Sequence, residues 1–483
     1  MFKDECRDSV WQRVRQRGLQ AFAGMLTPQA MQAAADSAGV RIGKSTLNVC
    51  TLAWLGIVGA LHATRNFADV LTITLKLLED AQSPSPKPRV KRSVKNRCRR
   101  SKHDPRGTSL RVSEEAFVQA RHGFPPKFWA WLLVVLAETF QQQHPECVRW
   151  KRFRLLMLDG SDIALPRWKK LLDYYGAAGS GVARTPQARM VMLALAQARL
   201  PWRYEVVPQS CHEQTAAKRL LQHVQRNDLV LMDRGFWCYG IFWQLQRQGA
   251  YFGIRLRAGT KLRRVKRLGD KDELVDWTPV VRSKKKCSWA GTGLPKTIRL
   301  RVIRYRVPGF RASAVVTNVL DPRAISRDEW VRMAAVDERG HVLEAGLYHR
   351  RWEIETMFYE LKVFQGLEGS LRGRTAKSIE FEIAGHVLLY FLIRWLMVES
   401  AEQHGGQPLR LSFKHALQEF EDLRALLVVS APSHVRDVLL PKLLARIAQH
   451  AISIRPGRHY PRLGDKYKLG KYRKRSKLKA KQA

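Results

Sequence analysis

Acidic residues are scarce in this 483-residue chain: 42 Asp and Glu stand against 85 Lys and Arg, a formal net charge of +43. So large an excess repels itself in a compact monomer unless an anionic partner neutralises it. Phosphate-rich nucleic acid is the expected partner and an acidic membrane surface the alternative. Paired cysteines are missing too. The seven present (Cys6, Cys50, Cys98, Cys147, Cys211, Cys238 and Cys287) are odd in number and widely scattered, with no C-x-x-C pair. That argues against a disulfide framework or a zinc finger and for a reducing compartment. None of the apolar runs Thr51–Ala63, Phe128–Ala137 and Ile383–Val398 supplies the ~18 uninterrupted apolar residues of a membrane span, the last being broken by His386 and Arg394. The opening stretch MFKDECRDSVWQRVRQRG has no apolar leader core, so no secretory signal is expected.

What is present suffices for a core. Hydrophobic residues make up 45% and aromatics 9%, which excludes global disorder, and the length predicts two to four domains. Residues 1–82 read as helical, with Thr27 capping a helix that has Pro28 at its first position. Residues 83–113 form a basic linker or arm, its 83–107 stretch carrying ten Lys and Arg against the one acid Asp104. A helical connection follows over 114–150. From 151 to 257 short apolar strands alternate with helices, the pattern of an α/β sheet covered on both faces. Residues 258–325 are strand-rich and often basic, and read as a β-rich insertion. Helix is expected from about Val331 through Gln449, so that 326–375 completes the α/β unit and 376–454 forms a helical C-terminal region. Residues 455–483, with twelve Lys and Arg and one acid, read as a disordered basic tail with Tyr460, Tyr467 and Tyr472 interleaved.

Two of the predicted strands, FRLLMLDGS and DLVLMDRGF, close on an acid, Asp159 and Asp233. Residues at the carboxyl ends of strands in an α/β sheet converge on its functional edge. Two carboxylates gathered there repel each other unless a cation bridges them, and oxygen-only donors favour Mg²⁺ or Mn²⁺ over zinc. Taken singly, each Asp reads equally as the cap of a turn. A third element lies in LYHRRWEIETMFYELKVFQGLEG. At about 100° per residue, Tyr348, Glu355 and Lys362 fall within an arc of about 40°, with Arg351 about 20° beyond. Leu343, Leu347, Ile354, Phe358 and Leu361 form the neighbouring core-facing stripe.

The spacing Tyr348-x2-Arg351-x3-Glu355-x6-Lys362 resembles the Tyr-Arg-Glu-Lys signature of the bacterial insertion-sequence-four transposases, members of the DDE superfamily. DGSDIALP around Asp159 and DRGF around Asp233 resemble that family's two aspartate motifs. The acids occur in the same order, with a β-rich segment before the Glu. The likeness runs from about residue 150 to 375, and the helical N-terminal part is similar to the domain that accompanies many such enzymes.

This resemblance implies a ribonuclease-H-like catalytic core with the β-rich insertion before the catalytic Glu, flanked by helical N- and C-terminal regions. Asp159, Asp233 and Glu355 would bind two Mg²⁺ ions, with Mn²⁺ as substitute, and Asp159 is preferred to Asp162 because it closes the strand. Tyr348, Arg351 and Lys362 would handle the DNA end, and Trp237, Trp277 and Trp289 are all candidates for stacking on a flipped base. The implied activity is cut-and-paste transposition. The protein would act on double-stranded DNA, both the element's terminal repeats and the target, as a cytoplasmic, nucleoid-associated homodimer that synapses two ends. Recognition of the repeats is expected before residue 150. Three alternatives remain: a metal-dependent nuclease on the same core without strand transfer, an inactive DNA-binding derivative, and a membrane-surface protein.

Overall fold

Helix starts in the N-terminal region follow from local capping. Thr27 Oγ1 accepts the Ala30 N–H at 3.1 Å to open the helix Pro28–Ala38, as expected. Asn48 Oδ1 accepts the N–H groups of Cys50 and Thr51, both at 3.0 Å, to open Val49–Leu61. The computed structural model describes residues 20–43, 45, 47–62, 69–71, 112–177, 184–279, 294–306, 312–332, 335–336, 342–343 and 345–453. The arm at 83–107, the tail at 455–483 and Trp289 lie outside the described residues.

The architecture is mixed α/β. Its strands are β1 (Arg149–Trp150), β2 (Phe153–Ala164), β3 (Gln187–Leu195), β4 (Leu200–Pro208), β5 (Asp228–Met232) and β6 (Tyr251–Arg255), followed by β7 (Arg263–Gly269), β8 (Asp272–Trp277), β9 (Ile298–Tyr305) and β10 (Ser313–Thr317). Among the described residues these form one ten-stranded sheet in the order β4-β3-β2-β5-β6-β10-β9-β8-β7, with β1 beside β2. The first three are antiparallel; β2–β5 and β5–β6 are parallel. The parallel crossovers carry the helices Glu213–Leu221 and Tyr239–Arg247. β5 is buried at all five positions, as a strand covered on both faces should be.

One expectation needs correction. The strand holding Asp159 does not close there: β2 runs on to Ala164, because β3 continues to pair with it through Ala164↔Gln187. The four strands of the 258–325 segment join the main sheet, with β10 pairing antiparallel to β6. Beyond Val331 a small antiparallel ribbon of β11 (Ala335–Val336) and β12 (Val342–Leu343) precedes the helices.

The apolar run near the C-terminus belongs to a longer helix. The helix Ala376–His404 has 29 residues and an 18-residue window of mean hydropathy 1.6, enough by length and composition to cross a membrane, yet that window is wholly buried inside the protein. Its polar residues are tolerated because they are partnered. Arg394 donates to the carbonyls of Ala198 at 2.9 Å and Pro408 at 3.3 Å, and His386 meets Ser370 Oγ at 2.7 Å.

This helix is the axis against which the N-terminal helices pack, so the region before residue 150 shares one hydrophobic core with the sheet. Its crossing with Val49–Leu61 is unusually close. A Cβ on Gly385 would stand 2.4 Å from the Gly56 carbonyl oxygen, a contact no side chain can accept. Gly385→Ala is therefore expected to force the two helices apart and to destabilise the protein by about 1–3 kcal/mol, read as an earlier midpoint in urea melts.

Candidate active site

The pairing of β2 with β5 brings the two aspartates together. Leu158 and Met232 are in register in the parallel ladder, and the next residue on each chain is Asp159 and Asp233. Past Met232 the chain leaves the sheet into the single turn Arg234–Phe236, with Asp233 at its N-cap position. The Asp159 carboxylate is mostly buried and accepts the Gly160 N–H at 2.9 Å.

Glu355 arrives from the other side through an arginine. Arg351 Nη2 donates to Glu355 Oε1 at 2.8 Å, and Nη1 lies 3.4 Å from Asp159 Oδ2. With its own side chain only 5% exposed, Arg351 is a buried bridge between two of the acids. The segment that carries it is not one uniform helix. A 3₁₀ stretch (Leu347–Arg351) leads into the α-helix Trp352–Tyr359, which continues as a π-turn over Glu360–Phe364. The expected common face is thus split, because each helix type turns by a different angle per residue. Tyr348 is buried, and its hydroxyl donates to the Met232 carbonyl at 3.3 Å, next to Asp233. Lys362 donates to the Asp162 carbonyl and pairs with Glu368 at 3.0 Å, towards the far end of β2 from Asp159. Ile354, Phe358, Leu361 and Leu347 of the apolar stripe are buried as expected, and Leu343 lies where side chains are not described.

The electrostatics reflect this crowding. Burial pushes the Asp159 carboxyl up to about 6, opposed by the Gly160 N–H and Arg351 and reinforced by Asp233 and Glu355. A residue that the sequence pattern did not single out joins them. Glu213, at the start of its helix, is pushed up to about 7 by burial first and then by Asp159, Asp162 and Asp233. Asp162 itself faces Arg189, at 2.9 Å, and is the more exposed of the two β2 aspartates. Among the described residues no group of three or more His, Cys, Asp or Glu forms a ready metal shell. The donor chemistry nonetheless fits a hard divalent cation: the converging groups are carboxylates, and their mutual repulsion is what such an ion relieves.

Comparison with known proteins identifies the family. Residues 150–392 match the family described as "Transposase DDE domain". The chain belongs to the DDE transposases. A curated relative of the insertion-sequence-four kind, "Transposase InsG for insertion sequence element IS4" of Escherichia coli (strain K12), is 26% identical over 367 residues, 73% of this chain and 76% of the relative. A solved structure described as a "piggyBac transposase synaptic complex with hairpin DNA" overlaps 94% of this chain and 88% of its own. Its TM-score of 0.37 at 9% identity is too loose to support any inference.

This transposase, an enzyme acting on DNA, holds its Glu355 helix in place from beneath. Arg199, in the turn between β3 and β4, donates to Glu353 at 3.0 Å and to Glu360, whose other oxygen accepts the Tyr390 hydroxyl at 2.6 Å. The buried pair needs these extra hydrogen bonds to offset desolvation. Of the tryptophans proposed for base stacking, Trp237 and Trp277 are buried and pack on each other, centroids 5.1 Å apart. Trp352, which the pattern also missed, is 45% exposed and lies over the Arg351 guanidinium at 4.7 Å. Its exposure could not be read from a helical wheel that assumed one regular helix.

Arg351→Ala should cost about 2 kcal/mol at pH 7.5, a charged hydrogen-bond partner being worth roughly 1.5–3. The loss should shrink at pH 5. Asp159, whose folded value of about 6 lies above its ordinary 3.8, favours the fold while protonated, and that contribution is lost as the pH rises through 6. Metal-free urea melts of both proteins at the two pH values check this.

Proposed function

We propose that this transposase binds the ends of an insertion sequence and catalyses metal-dependent cleavage and strand transfer by a cut-and-paste route, with Asp159, Asp233 and Glu355 as the metal-binding acids. The observation that carries the reading is the β2–β5 register, which sets Asp159 beside Asp233 while Arg351 ties Glu355 to Asp159. The strand order β4-β3-β2-β5-β6, three antiparallel strands followed by two parallel ones, supports a ribonuclease-H-like core over 151–257 and 326–375. The β-rich insertion is then 258–325, the helical C-terminal region 376–454, and the DNA-recognising domain lies in 1–82, joined through 83–113 and 114–150.

Mg²⁺, or Mn²⁺ in its place, would supply the charge that activates the attacking oxygen and steadies the leaving one. The chain's own residues do the rest. Asp159 and Asp233 present carboxylates from adjacent strands, and Glu355 closes the set from its helix. Arg351 has the planar fork suited to a bidentate phosphate contact, and Lys362 a point charge. In the DNA-free state Arg351 holds Asp159 and Glu355 instead, and on binding a phosphate its guanidinium would turn to the DNA and leave both carboxylates free as ligands. Tyr348, buried against the Met232 carbonyl, steadies the turn that presents Asp233. The basic excess supplies salt-sensitive backbone contacts. Joining both ends of an element calls for a homodimer acting in the cytoplasm, on the nucleoid.

Asp159→Ala, Asp233→Ala and Glu355→Ala should each abolish cleavage of end DNA in Mg²⁺ while leaving DNA binding largely intact. A folded Glu355→Ala protein that still liberates a 3′-hydroxyl would overturn the assignment. Cleavage by the wild type without any joined product would instead identify a nuclease.

A further inference from the structure

Each aspartate motif contains a glycine, Gly160 directly after Asp159 and Gly235 two residues after Asp233. Neither adopts the left-handed conformation that would demand glycine. A side chain at 160 would have to displace Glu213. A Cβ there would stand 1.9 Å from Glu213 Oε1 and 2.9 Å from its Cδ, and a Cβ at 235 would meet Oε2 at 3.8 Å. The Glu213 carboxylate therefore lies in the gap between the two motifs, one oxygen towards each.

The placement is not that of a free surface side chain. Glu213 opens the helix Glu213–Leu221, which is seated by the buried Ala216, Ala217, Leu220 and Leu221. The neighbouring Gln214 donates its amide to the Gly235 carbonyl at 2.7 Å, tying the helix start to the turn after Asp233. Among the described residues no cation forms a salt bridge with Glu213. Arg189, the nearby guanidinium, is engaged by Asp162 at 2.9 Å, the Gln209 side chain at 2.8 Å and the Cys211 carbonyl at 3.2 Å. Arg189 eases the repulsion from a distance, but a carboxylate held among acids with no cation in direct contact is costly unless something positive comes to it.

We propose that Glu213 is a fourth carboxylate of the metal site, a ligand to the ion that Asp159 and Asp233 share, and that Gly160 is a glycine to make room for it. This rests on the three-acid reading above. It adds a donor from the helix between β4 and β5, where the three-acid signature has none, and gives the glycine after Asp159 a purpose.

The test is Mn²⁺ binding by the full-length protein without DNA, followed by electron paramagnetic resonance of the free ion and by the Mn²⁺-induced rise in melting temperature. Loss of a partner that only orients a metal's ligands typically costs about 10–100-fold in affinity, so loss of a ligand should cost at least as much. Glu213→Gln should weaken binding at least about 10-fold and blunt the Mn²⁺-induced rise, with the metal-free melting temperature unchanged or higher because a repelling charge is gone. Gly160→Ala should do the same to binding with Glu213 intact, by displacing the carboxylate. If Asp159→Asn loses Mn²⁺ while Glu213→Gln and Gly160→Ala bind as the wild type does, Glu213 is no ligand and the three-acid reading survives. If Asp159→Asn binds Mn²⁺ normally, the three-acid reading falls and takes this proposal with it.

Discussion

Parallel pairing of β2 with β5 is the constraint on which the rest of the site depends. A parallel ladder has no hairpin to set its register; the register follows from which apolar residues both strands bury. Here β5 is buried throughout, and the run Leu155–Leu158 on β2 matches it. A slip of one residue would turn Asp159 to the other face and separate it from Asp233. Hydrophobic burial thus aligns two charges that repel each other.

That repulsion has to be balanced, and the structure balances it with arginine. Arg351 lies between Asp159 and Glu355 with almost no exposure, and a guanidinium can face two carboxylates at once where an ammonium could serve only as a point charge. One turn deeper, Arg199 does the same for Glu353 and Glu360. Arg351 precedes the short helix that carries Glu355, and Arg199 bonds Glu353 in its first turn and Glu360 just past its end. One holds the acid towards the strands and the other holds the helix to the core beneath. In a chain with twice as many bases as acids, acids are the scarcer partner, and each of these two arginines takes two of them to build the site.

The same segment shows where pattern reading stops. Tyr348, Arg351, Glu355 and Lys362 were legible as a set by their spacing, and the apolar stripe beside them was legible by its period. The passage from 3₁₀ to α to π geometry was not, because it depends on Glu360 being drawn inward to Arg199 and Tyr390, partners 161 and 30 residues away. The consequence is that Lys362 reaches Asp162 rather than sitting beside Glu355, and that Trp352 emerges at the surface. Glu213 escaped notice for a similar reason. Its helix was recognisable, but its proximity to Gly160 and Gly235 exists only once three separate stretches have folded together.

By itself the sequence determined the order of strands and helices, the helix start at Thr27, the basic excess and the short list of acids, because these rest on local capping, periodicity and composition. Tertiary structure alone decided that the 258–325 strands extend the main sheet, that an apolar 29-residue helix is a core axis, and which charges meet. Register, close approach and ion pairing are properties of distant segments in contact, and no local pattern encodes them.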